Sequence, residues 1–314
     1  MAEKKDNRFD KIFVMDINPG NDEITKELVI GRFARVLKNA SLYQNIIITS
    51  HSTMSLLKHM IKDIDIKHGY VVSDNGARIY SIHQDKIIYD NSMDKEDVLA
   101  ILHYAIMQNS LVLVSGTQRE YAYSLNLLNA LSLNKKHYLP LPYTNDYSKL
   151  VKFVNSTIVH SVLVFHKDRS EMLKALDEFN TVAKNWSFFG LAGQHSYFVV
   201  TSKENTKYNA ILKIMEILQV SNVDKIYYYA LNTISDLCVK AFKNHLIHQD
   251  IALNSTYYNK INIQANVDNI ITNMRHAFFS DEETVNNTYV TKEIIDTKRL
   301  SKIMSDAKNT RKID

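Results

Sequence analysis

The chain has 314 residues, 45% of them hydrophobic, enough to bury a core as one large domain or two of ordinary size. Its 38 basic and 34 acidic residues leave a net charge of +4 that is spread along the chain rather than gathered into a basic stripe, so nothing supports nucleic-acid binding. The single cysteine, Cys238, excludes an internal disulfide and a multi-cysteine zinc site, and fits a reducing compartment.

The longest apolar runs, such as Ile46–Ile48 and Val162–Phe165, are strand-sized and far short of the roughly 20 residues a membrane span needs, so no membrane insertion is expected. Met1–Asp6 has no apolar stretch of the secretory kind, and the expected location is cytoplasmic. Only 7 glycines and 3 prolines are present, which limits how many glycine loops a site could use.

In chain order, Lys11–Asp16 reads as a strand ending in an acid and running into the turn cluster Asn18-Pro19-Gly20-Asn21. Thr25–Leu37 has helical spacing at Leu28, Val29, Phe33 and Val36, and a strand follows at Ile46–Thr49. His51–Ile64 is a second helix, with Met54, Leu57, Met60 and Ile61 on one face, and Tyr70–Val72 a third strand. This alternation predicts βαβ units and a parallel sheet, whose functional groups sit at the carboxyl ends of strands; Asp16 and Thr49 both stand there.

From Asp94 the pattern restarts: helix Asp97–Met107, strand Leu111–Val114, a loop with Pro140 and Pro142, strand Ser161–Phe165, helix Ser170–Phe179 and strand His195–Thr201. It then resumes with helix Lys207–Leu218, strand Lys225–Tyr229, helix Ser235–Phe242 and short strands near Ile251 and Ile261. The expected division is a core over 1–93, an inserted α/β domain over 94–194, the rest of the core over 195–279 and a charged, partly helical or disordered tail over 280–314.

The stretch Val72-Ser73-Asp74-Asn75-Gly76-Ala77-Arg78-Ile79-Tyr80 resembles the Asn-Gly-Ala hairpin that precedes the cap in the haloacid dehalogenase (HAD) superfamily, in its Cof-like sugar-phosphatase branch. The resemblance covers nearly everything but the tail. It implies an α/β fold: a Rossmann-like parallel-sheet core with an inserted α/β cap.

In that family the first strand ends in Asp-x-Asp-Gly-Thr, where the first acid is the nucleophile and the second the general acid and base. Here the segment is Asp16-Ile17-Asn18-Pro19-Gly20, so the nucleophile position is kept and the proton donor is an amide, a loss of about 10²–10⁴-fold by the family's usual route. Thr49-Ser50-His51 stands where the family has Thr-Gly-Arg, and Thr49 keeps the phosphate-holding hydroxyl. Lys207 matches the lysine that neutralises the phosphoenzyme. Leu231–Asp236 aligns with the fourth motif, leaving Asn232 at one acidic position and Asp236 as the remaining acid. The metal set would thus be Asp16, Asp236 and a weak or lost Asn232; Mg²⁺ prefers hard, charged oxygens, so no cofactor is expected unless activity survives, in which case it is Mg²⁺.

Plainer readings stand beside these. Asp16 could be a turn former, Lys207 a solvated first-turn residue, and Asp236 a first-turn acid favoured by its helix dipole. His245 and His248, three apart on a helix or its end, read as surface histidines, while Tyr227–Tyr229 and Trp186 read as core or sheet-face aromatics. The functional expectation is a catalytically impaired pseudoenzyme serving as a structural or binding subunit of a larger assembly, with protein partners docking through the 280–314 tail. The alternative is a slow Mg²⁺-dependent phosphatase, or a non-hydrolysing sensor, for a sugar phosphate or similar metabolite.

Overall fold

The computed structural model describes residues 11–18, 23–126, 142–166, 169–182, 186–191, 197–231, 241–248 and 264–279. Asn232, Asp236, Cys238 and the tail 280–314 lie outside them, as do the strands expected near Ile251 and Ile261 and most of the helix expected at Ser235–Phe242.

The strands are β1 (Ile12–Asp16), β2 (Asn45–Thr49), β3 (Gly69–Ser73), β4 (Arg78–Ser81), β5 (Lys86–Asp90), β6 (Leu111–Gly116), β7 (Glu120–Tyr123), β8 (Tyr143–Thr144), β9 (Val159–Phe165), β10 (Trp186–Leu191), β11 (Tyr197–Ser202), β12 (Ile226–Ala230), β13 (Asn244–His248) and β14 (Gln264–Ala265). They form two sheets. The first has the order β14-β13-β12-β1-β2-β3-β4-β5, parallel as far as β3 and antiparallel through the β3–β4–β5 hairpins.

Each central strand is apolar on both faces, as a sheet covered on both sides must be. Phe13, Met15, Ile46, Ile48 and Val71 pack with helices Glu23–Ile30, Arg32–Ala40, Met54–Ile64 and Val267–Phe279. The intervening Ile12, Val14, Ile47, Tyr70, Val72 and Tyr228 pack on the other side with Ala210, Ile211, Ile214 and Met215 of helix Lys207–Leu218.

From β1 the chain builds outward through β2 and β3, and it later returns on the other flank through β12, β13 and β14. The order therefore reverses at β1. That is the position where an open α/β sheet leaves a crevice beyond its carboxyl ends, and Asp16 is the residue at its mouth.

The second sheet has the order β10-β11-β9-β6-β7-β8, antiparallel except between β7 and β8. Helices Lys95–Met107, Tyr147–Ser156 and Arg169–Val182 cover one face through a cluster that includes Val112, Val114, Val162, Val164 and Phe198. Alternate residues Leu111, Leu113, Ala122, Leu163, Tyr197 and Val199 line the opposite face. This is the inserted α/β domain, and it corrects two expectations. Tyr197–Ser202 pairs with β9 and β10, so the insert runs past residue 194 and the first core element after it is helix Lys207–Leu218. His245 and His248 lie on strand β13, not on a helix, and His248 is buried rather than at the surface, because that strand extends the core sheet beside β12.

Candidate active site

Asp16 ends β1 in register with Thr49 of β2 and Ala230 of β12, which sets the three strand ends level. Backbone bonds hold them together: Ile17 N–H donates to Thr49 O (2.9 Å), and Leu231 N–H to Asp16 O (2.9 Å). The loop after β2 is fixed to the hairpin by Ser50 N–H to Val72 O (2.9 Å), Asp74 N–H to Ser52 O (2.8 Å) and Asn75 N–H to Ser50 O (3.2 Å).

The hairpin also places the lysine. Asp74 (φ 52°), Asn75 (φ 54°) and Gly76 (φ 103°) turn the chain in left-handed conformations, and a Cβ on Gly76 would lie 2.3 Å from Thr206 O. Only glycine permits that approach. Thr206 caps the helix by accepting the Asn209 N–H (3.1 Å), and Lys207 is its first residue. The Asn-Gly-Ala signature thus has a physical function: it brings the hairpin backbone against the helix start that delivers Lys207.

Lys207 is fully buried and paired with Asp16 Oδ1, so the reading of a solvated first-turn lysine is overturned. The other carboxylate oxygen, Oδ2, accepts the hydroxyl of Tyr228. Burial pushes the Asp16 carboxyl up from its ordinary range, against the pull of the Lys207 ammonium and the Tyr228 hydroxyl. His51, wholly buried in the loop after β2, is held well below its usual 6.5 by burial and by the Lys207 charge, and is neutral at pH 7.

Asn18 faces the same crevice. Its Oδ1 accepts the Ser52 hydroxyl (2.6 Å) and its Nδ2 donates to the Tyr197 hydroxyl of the cap (2.5 Å). Thr49 Oγ1 is buried and has no hydrogen-bond partner among the described residues. The structure therefore brings Asp16, Asn18, Thr49 and Lys207 together; Asn232 and Asp236 lie outside the described residues.

Reasoning from sequence missed Tyr228, Ser52 and Tyr197. Tyr228 was read only as a core aromatic, which it also is, stacked on Phe242 at 5.6 Å. In the sheet it shares a face with Val14 and Ala230, and nothing local in the sequence signals that its hydroxyl reaches Asp16. Of the other aromatics, Tyr227 stacks on Phe13 at 5.1 Å and Tyr229 is buried, as read from the sequence.

Mg²⁺ is the metal the resemblance implies, and the described donors do not fit it. Both oxygens of Asp16 are engaged by a cation and a phenol, the amide oxygen of Asn18 is held by Ser52, and no described group of three His, Cys, Asp or Glu is placed to hold an ion. No described helix is long and apolar enough to cross a membrane.

The fold is that of a HAD-like protein, and comparison with known proteins agrees. The family model for haloacid dehalogenase-like hydrolases matches residues 34–227, more than half of the chain, and the chain belongs to that family. It is 22% identical over 209 residues to Uncharacterized protein MG374 of Mycoplasma genitalium, covering 64% of this chain and 75% of that one. Its fold is similar to that of a protein from Plasmodium vivax assigned to the HAD/COF-like hydrolases (TM-score 0.68, 13% identity, 87% of this chain and 97% of that one). It is also similar to BT1666 of Bacteroides thetaiotaomicron, treated among the phosphatases of the superfamily (TM-score 0.66, 13% identity, 88% and 98% covered). Its fold is that of the Cof-like branch.

Proposed function

We propose that this HAD-like protein does not turn over phosphomonoesters by its family's route and serves as a binding or structural body within a protein assembly. The observation that carries this reading is the closed state of Asp16: a buried carboxylate with Lys207 on one oxygen and Tyr228 on the other. A nucleophile needs one oxygen free to approach phosphorus, and a magnesium ligand needs one free to bind the ion. Asn18, in the general-acid position, has no proton to transfer at a useful pKa, and its amide is spent on Ser52 and Tyr197. The charged tail over 280–314 is the segment we assign to partner contact.

A second reading, a slow phosphatase or a sensor for a phosphorylated metabolite, is favoured by Thr49. Its buried hydroxyl, without a partner among the described residues and level with Asp16, is of the kind a phosphoryl oxygen would satisfy. Phosphate release from a panel of sugar phosphates and an aryl phosphate, with Mg²⁺ present, separates the two. The expected result is equal background release from the native protein and Asp16→Asn; turnover removed by that substitution establishes the phosphatase.

A further inference from the structure

We infer that the cap is latched shut over the core crevice by polar side chains on its inner sheet face, and that Asn18 holds one of those latches. Side chains alternate across a strand, so Tyr197 lies on the face of Val199, Ser161 on that of Leu163, and Glu120 on that of Ala122. All three reach the core. Asn18 Nδ2 donates to Tyr197 Oη at 2.5 Å, Ser161 Oγ donates to Asp74 Oδ1 at 2.7 Å, and Ser55 Oγ donates to Glu120 Oε1.

These contacts are arranged to resist opening. Asp74 and Ser161 are fully buried, and the second oxygen of Asp74 accepts Ser73 Oγ at 2.7 Å, so that carboxylate is committed on both sides of the interface. Two latches end on a carboxylate, the stronger kind of hydrogen bond. Tyr197 is also buried, which drives its phenol far above the ordinary range and keeps the hydroxyl neutral. The two connections between core and cap are tied to each other as well, Asn91 Nδ2 donating to Asn205 Oδ1 at 2.8 Å. The amide at position 18 donates to the cap and accepts from Ser52 at once, so one uncharged side chain ties Tyr197 to the loop after β2.

The test is a distance distribution from spin labels on exposed sites of the two domains, Lys62→Cys on the core and Lys174→Cys on the cap, with Cys238→Ser to remove the native thiol. The native protein should give one narrow population, unchanged by Mg²⁺ and inorganic phosphate. Tyr197→Phe with Ser161→Ala keeps both backbones and deletes two latches, and should add a longer population, raising the open fraction about tenfold or more. Two populations in the native protein, or a folded double variant with the native distribution, would overturn the inference. If the double variant does not fold, the native distribution alone decides. Turnover by a protein with one narrow population would sink the non-catalytic reading above and leave the latch standing.

Discussion

At the scale of single residues, Asp16 and Lys207 form a fully buried ion pair, and such pairs behave asymmetrically. Removing one partner strands a charge in the core, so Asp16→Asn and Lys207→Met should each cost about 3–5 kcal/mol, while the double variant should recover most of that loss. Urea denaturation of the four proteins in a double-mutant cycle checks this; additive losses would mean that the pair is not coupled as the geometry requires. His51 gives a pH prediction. Its folded-state pKa lies well below 6.5, so below that pH the unfolded chain binds the extra proton and the native state does not. Stability is therefore full above 6.5 and falls as the pH drops beneath it. His51→Gln should flatten that slope in thermal melts between pH 7 and about pH 5. Asp16, raised above 3.8, acts in the opposite sense, so the quantity to follow is the difference between variant and native protein.

At the scale of elements, the hairpin at Asp74–Gly76 and the start of helix Lys207–Leu218 behave as one unit. Gly76→Ala sets a Cβ 2.3 Å from Thr206 O at a backbone angle of φ 103°, and main chain cannot yield as a flexible side chain would. The expected loss is about 2 kcal/mol or more, from the left-handed strain together with displacement of the helix start. Chemical denaturation measures it, and a loss below about 0.5 kcal/mol would show that the hairpin and helix are not in register. The short continuous apolar runs of β1, β2 and β3, and the helical spacing of Met54–Ile64, were legible because a strand covered on both faces is apolar throughout and burial on one helix face imposes a period on the sequence. Helix Tyr147–Ser156 and strands β8, β10 and β13 were not. β8 has two residues and β13 carries Asn244, His245 and His248, so neither shows a clear alternation.

At the scale of the whole molecule, core and cap each have their own hydrophobic clusters, with Phe13, Leu57 and Ile211 in the core and Leu102, Val162 and Phe198 in the cap. The last described helix, Val267–Phe279, already covers the core sheet through Ile270, Met274 and Ala277. A chain ending at Phe279 should therefore keep the native melting temperature while losing the partners that the full chain retains. Calorimetry and affinity capture with both chains check this, and capture of the same partners by the shortened chain would remove the tail from the proposal.

By itself the sequence determined the strand–helix alternation from Lys11 to Val72, the restart of the pattern as an inserted unit and the positions of Asp16, Asn18, Thr49 and Lys207, because each is written in local periodicity or in a motif a few residues long. Where the insert ends was decided by pairing: β11 finds its partners in β9 and β10, and such pairing joins residues far apart in the chain. The state of the site was decided in the same way. Tyr228 lies 212 positions from Asp16, and Tyr197 lies 179 from Asn18. A carboxylate closed on both oxygens, and an amide that ties the cap to the core, exist only where folding brings those distant side chains within hydrogen-bond reach.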